Sequence, residues 1–181
     1  MKNENLEKRM YFLTMYNLSQ IQIGIQSGHA QMEYALKYWE NEDFQDWAQN
    51  HKTWIILNGG TSTHTVEYDF IGTMEESESA LKEAGIDLAT FCEPDLNGSL
   101  SAIAFLVDER VFNREDYPDL FNFMKSKIET PKLLELTVDE ENDFFDLVKS
   151  KYPKEYGEWL DLIGGKKNAF LKDFIRNFKL A

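Results

Sequence analysis

A run that is apolar on both faces, Met10-Tyr-Phe-Leu-Thr-Met-Tyr16, is followed within three residues by a long segment of helical periodicity. The first part reads as a central strand, covered on both sides. In the second, Ile21, Ile25, Gly28, Met32, Leu36 and Trp39 recur three to four residues apart and predict a helix from Ser19 to about Trp39. Their stripe is the predicted buried face, and Ser19 is the predicted N-cap. Beside it runs a polar stripe, Gln22, Gln26, His29 and Glu33, whose side chains share one face and can reach a common site. Paired stripes are also what any amphipathic helix shows, and a lone His is more often structural than catalytic. Gly24 and Gly28 thin one side of the helix, where another element can pack closely. Backbone N–H groups near Gln22, unpaired at the helix start, favour an anion such as a phosphate.

The segments that follow alternate between strand and helix patterns. Glu42 to Gln49 reads as one or two helical turns with Phe44, Trp47 and Ala48 inward. Thr53-Trp-Ile-Ile-Leu-Asn58 is a second buried strand, closed by Gly59-Gly60. Thr65 to Phe70 alternates apolar and polar residues, as an edge strand does. Thr73-Met-Glu-Glu76 has the form of a capping box, opening a helix that ends at Gly85. Asp87–Glu93 and Ser99–Val107 are two further strands joined by a connector that contains Asn97-Gly98, a strong hairpin signal. These elements predict an α/β fold, a three-layer sandwich around a mixed four-stranded sheet, over residues 1–110. Residues 111–181 form a helical C-terminal extension, divided by Pro118, Pro131 and Pro153. Val138–Lys151, Glu155–Ile163 and Lys166–Ala181 are its helices.

Charge and composition narrow the function. The formal net charge is −13. Residues 1–110 carry 7 Lys/Arg against 18 Asp/Glu, and residues 111–181 carry 12 against 14. Nucleic-acid affinity is dominated by phosphate contacts from Lys and Arg, so this balance runs against an RNA partner unless a local basic patch exists. The one basic run is Lys166, Lys167, Lys172, Arg176 and Lys179. It reads either as the solvated side of a docked terminal helix or as a phosphate-contacting tail. A single cysteine, Cys92, excludes an internal disulfide and sits in a strand, where burial is expected. The three histidines, His29, His51 and His64, have no metal-motif spacing, so no metal and no cofactor are expected. No apolar run approaches a membrane span and no signal-peptide core opens the chain, so a cytoplasmic protein without membrane contact is expected.

A strand, then Leu-Ser, then a helix bearing Gln-x-x-His-Ala resembles the opening of the type 2 peptidyl-tRNA hydrolases. Their pattern at this point is Ser-x-Gly-Lys-x-Ala-x-Gln-x-x-His-Ala. Ser19, Gln26, His29 and Ala30 stand at the family's Ser, Gln, His and Ala, whereas Ile21 stands at its glycine and Gln22 at its catalytic lysine. The likeness extends, more weakly, to about Val107.

The resemblance implies hydrolysis of the ester between a peptide and tRNA. That reaction needs an activated water, stabilisation of the oxyanion and anchors for phosphate. Carried over residue by residue, it places Glu93 as the acid/base, with Gln22 and Ser99 as polar stabilisers. Gln26, His29, Ser101 and Asp95 then line the substrate cleft. Gln22 donates hydrogen bonds but brings no positive charge. Two functions follow: a peptidyl-tRNA hydrolase whose cation comes from elsewhere, such as the basic C-terminal run, or a catalytically degenerate member of the fold that binds a protein partner. A weaker candidate for phosphate binding is the loop Asn58-Gly-Gly-Thr-Ser-Thr-His64, rich in glycine and hydroxyls.

Overall fold

The computed structural model describes residues 6–63, 71–129, 132–133 and 143–181. The segment Thr65–Phe70 and residue His64 lie outside these. Contacts divide the chain into two units, Met1–Glu109 with Asp173–Ala181, and Arg110–Lys172. The last nine residues therefore belong with the first unit, not with the helices that precede them.

The first unit is built on a mixed four-stranded sheet of order β2-β1-β4-β3. Its strands are β1 (Lys8–Met15), β2 (Thr53–Gly60), β3 (Leu88–Glu93) and β4 (Ser99–Asp108). β1 is central, parallel to β2 and antiparallel to β4, and β4 is antiparallel to β3. Helix α1 (Gln20–Tyr38) crosses from β1 to β2, followed by α2 (Glu42–Asp46) and a π-turn over Trp47–His51. Helix α3 (Thr73–Glu83) leads into β3. The β3–β4 connector turns through Asn97 and Gly98 at φ 55° and 70°, the left-handed pair that the Asn-Gly signal anticipates.

Alternation along β1 decides which helix covers which face. Met10 and Phe12, with Ala89, Ala102 and Ala104 beside them, pack against Ala30, Tyr34, Phe44 and Trp47 of α1, α2 and the π-turn. The three alanines leave room for the helix to come close and for Tyr34 and Phe44 to fill the space. Each large side chain buried there contributes roughly 1.5–3 kcal/mol. Leu13 belongs to the opposite face, under α3: a side chain at Gly59 would strike Met74 Sδ and crowd Leu13 Cβ.

Three expectations are corrected here. The Ile21, Ile25, Met32, Leu36, Trp39 stripe is exposed, and the buried face of α1 is Gln26, Ser27, Ala30 and Tyr34. Helical spacing located the helix correctly but not its inward side. Space for a close neighbour at Gly24 and Gly28 is also not taken up among the described residues, where a Cβ at either would meet nothing within 4 Å. At α3 the N-cap is Gly72, with no side-chain cap bond, so Thr73–Glu76 is not a capping box. Thr73 Oγ1 instead donates to Gly59 O at 2.8 Å.

The second unit contains α5 (Leu120–Lys127), α6 (Phe144–Lys151), α7 (Pro153–Ile163) and most of α8 (Lys166–Phe174), after a short α4 (Glu109–Phe112) at the unit boundary. Its core gathers Leu120, Met124, Val148, Trp159 and Ile163. Asp119 and Asp143 cap α5 and α6, and Gly164 at φ 83° closes α7.

The helix expected over Lys166–Ala181 stops at Phe174. A 3-10 turn, Ile175–Asn177, follows. The tail then extends along β2, with Asn58 N donating to Lys179 O at 2.8 Å and Ala181 N to Ile56 O at 3.1 Å. Phe174 lies edge-on to Phe105, 6.2 Å between ring centres.

Candidate functional site

The first turn of α1 is closed on itself. Ser19 Oγ accepts from Gln22 N at 3.3 Å, and Gln22 Oε1 accepts from Ser19 N at 3.0 Å. This reciprocal capping box satisfies two helix-end donors and turns the Gln22 carboxamide back over the helix start. Gln22 thus serves as a helix cap.

One turn further on, Gln26 is buried beneath the helix. Its Nε2 donates a short hydrogen bond to Glu93 Oε2, and its Oε1 accepts from Ser101 Oγ at 2.6 Å. Ser101 Oγ also lies 3.0 Å from Phe91 O, and its single proton serves one of the two acceptors at a time. A β-bulge aims this hydroxyl. Pairing steps from Phe91↔Ala102 to Cys92↔Leu100, so Ser101 is the extra residue on β4. Both amide atoms of the buried Gln26 are paired, which avoids a penalty of about 1–3 kcal/mol for an orphaned polar group.

Glu93 ends β3 and caps the 3-10 turn Pro94–Leu96, its Oε1 accepting from Asp95 N at 3.4 Å. The Gln26 amide lowers the Glu93 pKa below the usual carboxylate range; partial burial opposes this, and the Asp95 N–H and His29 assist it. His29 is exposed, its ring 4.4 Å from the ring of Phe91. Five of the candidate residues, Gln22, Gln26, His29, Glu93 and Ser101, therefore lie along one side of α1 and the adjoining strand ends. Ser99 does not join them, because its hydroxyl donates to Leu96 O at 2.7 Å inside the hairpin turn. The Asp95 side chain is exposed and enters through its backbone N–H alone.

The lysines of α1 and α3 are already committed. Lys37 Nζ donates to Leu88 O at 3.1 Å, and Lys82 is paired with Glu78. These residues, with Glu33, line a shallow groove between α1, α3 and β3. Arg176 and Lys179 of the basic C-terminal run do not supply a cation to Glu93. Both sit on the tail beside β2, with β2, β1 and β4 between them and β3, a separation of roughly 19 Å across four strand spacings. Lys172 is an internal prop of the second unit, its Nζ donating to Arg110 O, Val111 O and Tyr117 O at 2.9, 3.2 and 2.6 Å.

The loop after β2 uses its own amides. Gly60 N donates to Asn58 Oδ1, Thr61 N to Thr73 Oγ1 and Thr63 N to Glu75 Oε1, at 3.0, 2.9 and 3.1 Å. A carboxylate of the chain thus stands where a phosphate was considered. Cys92 is exposed, contrary to the expectation of burial; partial desolvation, with help from Glu78 and Glu75, raises its thiol pKa. Among the described residues, no group of three or more His, Cys, Asp or Glu converges as a metal site, and no helix is long and apolar enough to cross a membrane.

No protein-family model matches the chain, and no curated protein matches it.

Sequence reasoning missed the exposed apolar face of α1. A second stripe at helical spacing, Ile23, Ser27, Ala30, Tyr34 and Tyr38, carried the signal. Its small and aromatic side chains fit a sheet face lined with alanine.

Proposed function

We propose that the first unit is a binding domain on a scaffold like that of the type 2 peptidyl-tRNA hydrolases, and that it does not catalyse ester hydrolysis. The observation that carries this reading is the capping box. At the family's lysine position stands a neutral Gln22 whose carbonyl oxygen is already bonded to Ser19 N. A neutral amide stabilises an oxyanion less well than a cation, and loss of one such group typically lowers a rate on the order of 100-fold. The same surface offers phosphate little, since Glu93, its carboxyl pKa lowered by the Gln26 amide, stays ionised. The partner is a protein, received on the outward apolar face of α1.

The test is titration of the full chain with labelled tRNA at about 20 mM salt, where phosphate contacts are strongest. No saturable binding is expected. Saturable binding that weakens steeply with added salt refutes the reading. A second reading, an active hydrolase, draws support from the Gln26–Glu93–Ser101 cluster, in which a carboxylate is oriented by a buried amide. Turnover of peptidyl-tRNA that falls with Glu93→Ala is its signature.

A further inference from the structure

The outward face of α1 carries Ile21, Ile25, Met32, Leu36 and Trp39 at 78, 48, 56, 77 and 65% exposure. Gly24 and Gly28 lie among them over open space. A glycine inside a helix costs roughly 1 kcal/mol relative to alanine, and no contact among the described residues asks for either one. From Met10 to Met32 the sequence has no Lys, Arg, Asp or Glu, in a chain of net charge −13. Two copies of so acidic a protein repel each other, and close approach between them requires a face without carboxylates. The outward side of α1 from Ile21 to Met32 is such a face.

The order of side chains is self-complementary about the Gly28–His29 bond. Ile21 and Ile25 precede it, and Met32 and Leu36 follow at matching steps. Two helices crossed antiparallel at this bond set Ile21 against Leu36 and Ile25 against Met32, the same patch on both copies, as a two-fold interface demands. The bare backbone at Gly24 and Gly28 lets the axes come close at the crossing. We propose that the chain forms a symmetric dimer through this face of α1, a second copy of itself being the partner. The proposal rests on the binding reading above and gives that reading its occupant.

Five side chains exposing about 100 Å² each bring roughly 500 Å² per copy, below the ~800 Å² of a standard interface, which puts the dimer among weak, reversible associations with a dissociation constant on the order of micromolar. Sedimentation equilibrium on the full chain, from about 1 to about 300 µM, reads it directly. A monomer–dimer equilibrium is expected. Ile25→Glu places a carboxylate on both sides of the contact and raises the dissociation constant at least ~100-fold. Gly28→Ala raises the melting temperature of the monomer, since the added methyl meets nothing, yet weakens association about tenfold by holding the helices apart. Leu36→Gln is the companion variant to Ile25→Glu, with thermal melts confirming that each folds. A native chain that is monomeric throughout overturns the proposal and assigns the face to a different protein. A dimer unaffected by Ile25→Glu, Leu36→Gln and Gly28→Ala overturns it as well. Hydrolysis of peptidyl-tRNA by the native chain sinks the binding reading alone, because the association measurement does not depend on it.

Discussion

Lys172→Met removes the one charge of the basic C-terminal run that is buried among the described residues. Lys172 is 5% exposed, and its ammonium holds three backbone carbonyls, those of Arg110, Val111 and Tyr117. Two of these belong to the last turn of α4, whose carbonyls have no helical partner of their own. Hydrogen bonds from a charged donor contribute about 1.5–3 kcal/mol each, but three that share one buried ammonium also share its desolvation cost. Methionine keeps most of the side-chain volume, so packing loss is small. The net loss is about 3 kcal/mol for the second unit. Trp159, the one tryptophan of that unit, donates its indole N–H to Pro118 O at 3.0 Å, so its indole resonance reports this unit alone in a urea titration of the full chain. Lys167→Met, one helical turn away and exposed, serves as control and changes stability by less than ~0.5 kcal/mol. A loss below ~1 kcal/mol at Lys172, or equal effects at the two lysines, refutes the assignment of Lys172 as an internal prop.

Acid titrates the junction between β1 and α2. Asp46 is held at a pKa of about 2, first by the hydrogen bond from Lys8, 2.5 Å away, and then by Asn50. Its folded pKa is depressed, so its contribution is complete above the unfolded value and disappears as pH falls toward 2. Asp46→Asn therefore flattens the decline in melting temperature between about pH 4 and pH 2, and an unchanged acid slope contradicts this. Gln26→Leu strips Glu93 and Ser101 of their shared partner. The variant costs roughly 1–3 kcal/mol and returns the Glu93 pKa upward, both readable by urea melts and carboxyl NMR; an unmoved Glu93 rules out the amide as its cause.

Much of the first unit is written locally. The apolar run of β1, the Ser19 cap, the Asn97-Gly98 turn and the glycine after α7 each follow from a few adjacent residues. The inward face of α1 was not legible, because it is chosen by partners far along the chain. Gln26 is buried only because Glu93 and Ser101, 67 and 75 residues later, meet its amide. Neither the bulge at Ser101 nor the pairing of the tail with β2 leaves a mark in local sequence, since both depend on register between distant strands. The same holds for Lys172, which resembles its solvated neighbours in sequence and differs only in having three carbonyls around it. Gln22 is the opposite case: its neutrality was plain from the sequence, and its capping bond gives that neutrality a structural use.

The most direct test of the account is single-turnover cleavage of peptidyl-tRNA at low salt by the native chain and by Gln22→Lys. The account predicts that with the native chain the ester decays at the rate seen in buffer, and that any cleavage arises only with the lysine restored and disappears again in Gln22→Lys/Glu93→Ala. Cleavage by the native chain that falls with Glu93→Ala contradicts the account and makes the protein an enzyme.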